Sequence, residues 1–185
     1  SDWVEGFNNK ARLVAGRGPE GPSGPLYVGV EIAMPVGWKT YWRAPGDAGG
    51  VPPEFDWQGS ENLASAHVLY PAPRRLADKS GDVVGYKDHA IFPIALTASD
   101  PSKPIQLRVK VNYGVCKELC VPAEVELGLD VPADSATSPE LSAALTDVPG
   151  NPRSGVDPVL SSWSVEDLGG RSKLVLHVTS QSPGD

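Results

Sequence analysis

The chain has 185 residues, enough for one domain with a sizeable core and part of another, and its 23 acidic against 16 basic residues give a net charge of -7. That acidic balance, with no basic cluster anywhere, argues against a nucleic-acid or anionic-membrane footprint. No apolar run approaches the roughly 18 residues of a membrane span, and the opening Ser1-Asp2-Trp3-Val4-Glu5 lacks a charged-then-apolar signal pattern, so a soluble, mature or excised piece is expected.

Glycine at 20 and proline at 19 make up about a fifth of the residues, while hydrophobic residues reach 40%. A turn-rich folded protein, all-β in class, fits that mixture better than a disordered one. From Val4 to Ala15 a weak alternation, with Ala11, Leu13 and Ala15 on one side, predicts an edge strand, and the Gly/Pro-rich stretch 16–25 predicts a loop. Leu26 to Met34 alternates better and predicts a strand with Leu26, Val28, Val30 and Ile32 on one face and Tyr27, Gly29 and Glu31 on the other. The aromatic stretch Gly37-Trp38-Lys39-Thr40-Tyr41-Trp42-Arg43 suits a pleated surface and ends at the turn signals Pro45-Gly46-Asp47 and Gly49-Gly50. Short edge segments are expected at Pro52 to Trp57 and His67 to Tyr70. Leu76 to Gly85, polar with two glycines, reads as a surface loop, and Ala90, Phe92, Ile94 and Leu96 mark a buried strand that contains Pro93.

Two cleaner runs follow. Ile105, Leu107, Val109, Val111 and Tyr113 alternate against polar partners, and so do Ala123, Val125, Leu127, Leu129 and Val131. Half-buried strands with so short a connection are expected to be antiparallel neighbours in an immunoglobulin-like β-sandwich spanning residues 1–133. Ser138-Pro139-Glu140 supplies an N-cap, an N1 proline and a first-turn acid, which predicts a short helix from Pro139 to Thr146 inside a linker at 134–158. Ser162 to Asp167 and Lys173 to Thr179 read as strands of an incomplete second β unit at 159–185, or as strands that pack on the first.

Between the two clean strands lie the only cysteines, Cys116 and Cys120. An extended chain would hold their Cα atoms about 13 Å apart, whereas a disulfide needs less than about 7 Å, so the backbone must turn between them. Lys117-Glu118-Leu119 contains no glycine, which favours a helical turn or a wide hairpin tip over a tight primed turn. A bond there would close so small a ring that the loop-entropy contribution is only roughly 2 kcal/mol. Reversible thiol-disulfide exchange is the leading reading, beside a structural disulfide or Cu(I) held by the two thiols with His67, His89 or Met34. Lys117 favours a thiolate and Glu118 opposes it. No hydrolase triad, phosphate loop or paired-carboxylate spacing is evident, no metal site is assigned, and no cofactor is expected.

Several segments together resemble the amino-terminal periplasmic domain of the DsbD protein-disulfide reductase family, and more closely its suppressor-of-copper-sensitivity (ScsB) branch. They are 37–46 (Gly-Trp-Lys-Thr-Tyr-Trp-Arg-Ala-Pro-Gly), Tyr70-Pro71-Ala72-Pro73, Gly85-Tyr86, Phe92-Pro93 and Cys116-Lys117-Glu118-Leu119-Cys120. The three-residue gap between the cysteines matches the ScsB branch, DsbD itself having a longer one. The resemblance implies an immunoglobulin-like sandwich whose cysteine pair relays electrons in the bacterial periplasm. The donor would be a thioredoxin-like domain fed by a membrane module of the same full-length protein, and the acceptor a thioredoxin-fold isomerase. It also implies that Cys120 forms the mixed disulfide and Cys116 resolves it, with Tyr41 where the family places an aromatic near the cysteines and Tyr86 in the stretch matching its cap loop; Tyr113 is a further candidate neighbour because it lies just before the cysteine motif. The family's aromatic cap loop corresponds to Leu76 to Tyr86, which contains no phenylalanine.

Overall fold

The computed structural model describes residues 1–21, 24–78, 81–150, 159–167, 169–170 and 172–179. Parts of four sequence expectations lie outside those residues: positions 22 and 23 of the first loop, 79 and 80 of the segment 76–85, 151 to 158 of the linker, and 168, 171 and 180 to 185 of the second β unit. The chain divides into two units, Ser1–Pro149 and Gly150–Asp185.

The first unit is an all-β sandwich of two antiparallel sheets. One sheet has the order β1-β2-β3-β9-β6, built from β1 (Val4–Gly6), β2 (Asn9–Arg17), β3 (Leu26–Ala33), β9 (His89–Ala98) and β6 (Leu63–Val68). The other has the order β11-β10-β4-β8-β7, from β11 (Cys120–Val131), β10 (Ile105–Cys116), β4 (Lys39–Tyr41), β8 (Gly81–Lys87) and β7 (Arg74–Asp78), with β5 (Glu54–Asp56) added on β10. Period-two alternation decides which residues meet between the sheets. Leu13, Val28, Val30, Ile32, Phe92 and Ile94 from the first sheet join Ile105, Leu107, Val109, Val111 and Tyr113 from the second in one core. All five of the β10 residues are at most 2% exposed.

Three sequence expectations are corrected. The segment read as one edge strand from Val4 to Ala15 is a hairpin, β1 and β2, turned at Phe7 and Asn8, where Asn8 takes φ 53° without a glycine to mark it. The segment 76–85, read as a surface loop, is also a hairpin: β7 and β8 pair from Arg74↔Gly85 to Asp78↔Gly81. Its polar residues masked a strand because an edge ribbon is wet along one side. Only Lys39–Tyr41 of the aromatic stretch is strand.

The helix α1 (Pro139–Thr146) forms over the expected residues, with Ser138 Oγ accepting from Leu141 N at 3.3 Å. It packs on the outer face of the first sheet, where Leu141 is fully buried. Gly29 makes the room: a Cβ there would lie 3.0 Å from Leu141 Cδ1. This is why Tyr27 and Glu31, on the face of β3 opposite the core, are buried too.

Within the second unit, β12 (Val159–Asp167) and β13 (Ser172–Thr179) pair antiparallel with an irregularity between Leu160 and Ser162. Their register puts Leu160, Trp163, Val165, Leu174, Leu176 and Val178 on one face of the ribbon. Among the described residues no helix is long and apolar enough to cross a membrane.

Candidate functional site

β10 and β11 stay in register to their very ends, so that Cys116 and Cys120 are directly opposite each other, and they are disulfide-bonded with Cα atoms 4.1 Å apart. Residues 117–119 form the hairpin tip, closed by Lys117 N donating to Leu119 O. Along β10, Tyr113 and Val115 face the main core, and the alternation therefore sends Cys116 to the outer face of its sheet. There it belongs to a second, smaller cluster with Tyr41 and Val83, against which Ala48 and Leu76 pack.

This arrangement makes the two sulfurs unequal. Cys116 is 1% exposed, whereas Cys120 lies on the exposed side of the tip. Leu76 and Val83, from the β7–β8 hairpin that corresponds to the expected cap stretch, and Ala48 cover the buried cysteine with aliphatic side chains in place of an aromatic.

β4 pairs with β10 at Lys39↔Cys116, which brings Tyr41 alongside the bond. The Tyr41 hydroxyl stands 2.7 Å from Cys116 Sγ and 2.9 Å from Cys120 Sγ. Neither sulfur of a disulfide carries a proton, so the hydroxyl is the donor to both. Its ring is held between two positions without side chains. A Cβ at Gly114 would lie 3.0 Å from Tyr41 Cε2, and one at Gly50 would overlap the ring. Gly114 N donates to Val51 O at 2.9 Å, pinning the loop that carries Gly50 across the ring. Gly50, at φ 151°, adopts a backbone that other residues take only under strain. Sequence reasoning saw Gly49-Gly50 only as a turn and missed Val83 altogether. The signal for Val83 was the β-branched pair Val83-Val84 following Gly81.

The remaining expected neighbours divide. Lys117 and Glu118 are exposed on the tip, and a side chain at position 37 would come within 3.5 Å of Lys117 Cε, so the tip lies beside the β3–β4 loop. Tyr113 points the other way, into the core, where its hydroxyl donates to Asn9 Oδ1 at 2.6 Å and burial pushes its pKa up to about 12. Tyr86 also faces the core, packed edge-on against Phe92 with ring centroids 5.2 Å apart. Its hydroxyl donates to Pro71 O at 2.9 Å, and burial raises its pKa. His67 and His89 lie on β6 and β9 of the opposite sheet, His89 bonded to Glu31 at 2.8 Å, and Met34 is part of the main core. Among the described residues no three His, Cys, Asp or Glu side chains gather in a metal-binding group.

Tyr113→Phe is expected to leave the buried Asn9 oxygen without its donor, at a cost of about 1–2 kcal/mol. Thermal denaturation then shows a Tm lower by roughly 2–8 °C. Because the folded-state pKa of Tyr113 is raised above its ordinary value, its contribution is present below about pH 10 and is lost as pH rises towards about 12. The phenylalanine variant should lack that part of the alkaline loss.

Residues 19–132 match the family model for the N-terminal region of the thiol:disulfide interchange protein DsbD. The chain belongs to this family. The structure is similar to the crystal structure of the N-terminal periplasmic domain of ScsB from Proteus mirabilis, with TM-score 0.68 and 21% identity over 95% of this chain and 68% of that one. No curated protein matches the chain significantly. The family and the disulfide at the hairpin tip together support thiol-disulfide exchange as the chemistry of the site.

Proposed function

We propose that the sandwich is a periplasmic protein-disulfide reductase domain that relays electrons between thioredoxin-fold proteins through the Cys116–Cys120 couple. The observation that carries this reading is the unequal exposure of the two sulfurs, one buried and one open, with a single hydroxyl touching both. In the loading step a partner thiolate attacks Cys120 Sγ. A bond forms between the partner sulfur and Cys120, the Cys116–Cys120 bond breaks, and the electron pair leaves on Cys116, whose thiolate accepts the Tyr41 hydrogen bond and then a proton. The partner's second thiolate next attacks its own mixed-disulfide sulfur and expels the Cys120 thiolate. The domain has gained two electrons, and the donor has become a disulfide.

Delivery is the reverse: Cys120 attacks an acceptor disulfide and Cys116 resolves the mixed species. The donor in this reading is a thioredoxin-like domain supplied by a membrane module of the full-length protein, and the acceptor an isomerase-like protein. Lys117 and Glu118 act only as exposed charges that the partner meets on the tip.

Equilibration of the couple with glutathione or dithiothreitol buffers, read by alkylation of the thiols, tests the proposal. A reduction potential between about -270 and -180 mV, the range from thioredoxin to protein disulfide isomerase, is expected. A value below about -300 mV marks a structural bond and overturns the relay.

A further inference from the structure

A mixed disulfide brings the two cysteine Cα atoms within about 7 Å, so any protein that exchanges with Cys120 must lie over the surface around the hairpin tip. Beside the charged Lys117 and Glu118, that surface carries three large exposed apolar side chains. Leu119, on the tip itself, is 74% exposed, Val36 in the neighbouring β3–β4 loop is 84% exposed, and Phe7 in the β1–β2 turn is 66% exposed. They share one end of the sandwich. Trp38, next but one to Val36 and adjacent to the residue paired with Cys116, meets the Phe7 ring edge-on with centroids 6.4 Å apart.

The fold holds Phe7 out on purpose-built hydrogen bonds. Asn8 takes a left-handed φ of 53°, and the buried Asn9 donates from Nδ2 to Phe7 O at 2.9 Å while accepting the Tyr113 hydroxyl at 2.6 Å. The strand that carries Cys116 therefore also braces the turn that presents Phe7. A recess of about 390 Å³ opens beside these residues, walled by Gly6 and Asn8 on one side and Met34 and Pro35 on the other. Exposed apolar residues scattered singly need no explanation, but a group with an aromatic member beside a reactive sulfur marks an interaction surface.

We infer that Phe7, Val36 and Leu119, backed by Trp38, form the docking seat for the thioredoxin-fold partner of Cys120. The inference rests on the exchange reading above and adds to it where the partner sits. Contact across this seat accelerates attack by a protein thiol by holding it in line with the Cys116–Cys120 bond. A small thiol attacks the bond without touching it.

The test compares reduction of the full 185-residue chain by thioredoxin, kept reduced by its reductase, with reduction by dithiothreitol. Phe7→Ser with Val36→Ser is the variant, since both side chains are largely outside the core and the fold can be checked by near-ultraviolet circular dichroism. The ratio of the thioredoxin rate to the dithiothreitol rate is expected to fall at least fivefold. Wild-type protein that exchanges with thioredoxin, combined with an unchanged ratio in the variant, overturns the seat and leaves the exchange reading standing. Wild-type protein that does not exchange with thioredoxin overturns both.

Discussion

Cys116→Ser is expected to trap a mixed disulfide between Cys120 and a thioredoxin-fold protein, visible as a higher band on non-reducing gels that dithiothreitol removes. The reason is the placement of the two sulfurs. Cys120 is on the exposed side of the tip and can reach a partner disulfide, while Cys116, 1% exposed, can reach only Cys120. With serine at 116 the second step has no nucleophile, and the mixed species accumulates. Cys120→Ser leaves only the buried sulfur and is expected to form no such band. Both single variants lose turnover completely. A trapped band from Cys120→Ser and not from Cys116→Ser reverses the assigned roles. The double serine variant should still fold, because the ring closed by the bond is so small that its loss costs about 2 kcal/mol, a Tm decrease of roughly 4–8 °C. Collapse of the fold in that variant argues for a structural bond.

What the sequence made legible follows from how local each signal is. Within β10 and β11 the runs Ile105 to Tyr113 and Ala123 to Val131 alternate cleanly, with the apolar set on one face, so their existence, pairing and core face could be read directly. α1 was equally plain, because Ser138, Pro139 and Glu140 each act within the first turn of the helix. The β1–β2 turn was missed because an asparagine, and not a glycine or proline, takes the left-handed conformation there. β7 and β8 were missed because an edge hairpin next to solvent keeps polar residues on one side. The site itself was half legible. The cysteine pair and its hairpin are local, but Tyr41 reaches the sulfurs across a separation of 75 residues, and only the likeness to a family pointed to it. Val83-Val84 marked a strand locally and Gly49-Gly50 a turn, but nothing local told that Leu76, Val83 and Ala48 gather with Cys116, or that Gly50 and Gly114 seat the tyrosine ring.

Tyr41→Phe is expected to slow reduction of the disulfide by about 10- to 150-fold. The hydroxyl lies within 2.9 Å of both sulfurs, so the hydrogen bond it donates to a neutral disulfide becomes a bond to an anion as the electron pair moves onto Cys116. A hydrogen bond to a charged group contributes about 1.5–3 kcal/mol, and the neutral one much less, so most of that difference appears in the barrier. Phenylalanine keeps the ring that Gly50 and Gly114 enclose and removes only the oxygen, so the fold and the cover of Cys116 should be retained. Stabilisation of the departing sulfur does not depend on what attacks the other one. Tyr41→Phe should therefore slow dithiothreitol and thioredoxin by the same factor, whereas loss of Phe7 and Val36 slows thioredoxin alone. Stopped-flow rates with both reductants separate the two effects. A Tyr41→Phe rate within twofold of wild type means the hydroxyl only fills space between the sulfurs. Slowing confined to thioredoxin assigns Tyr41 to docking instead of to the departing thiolate.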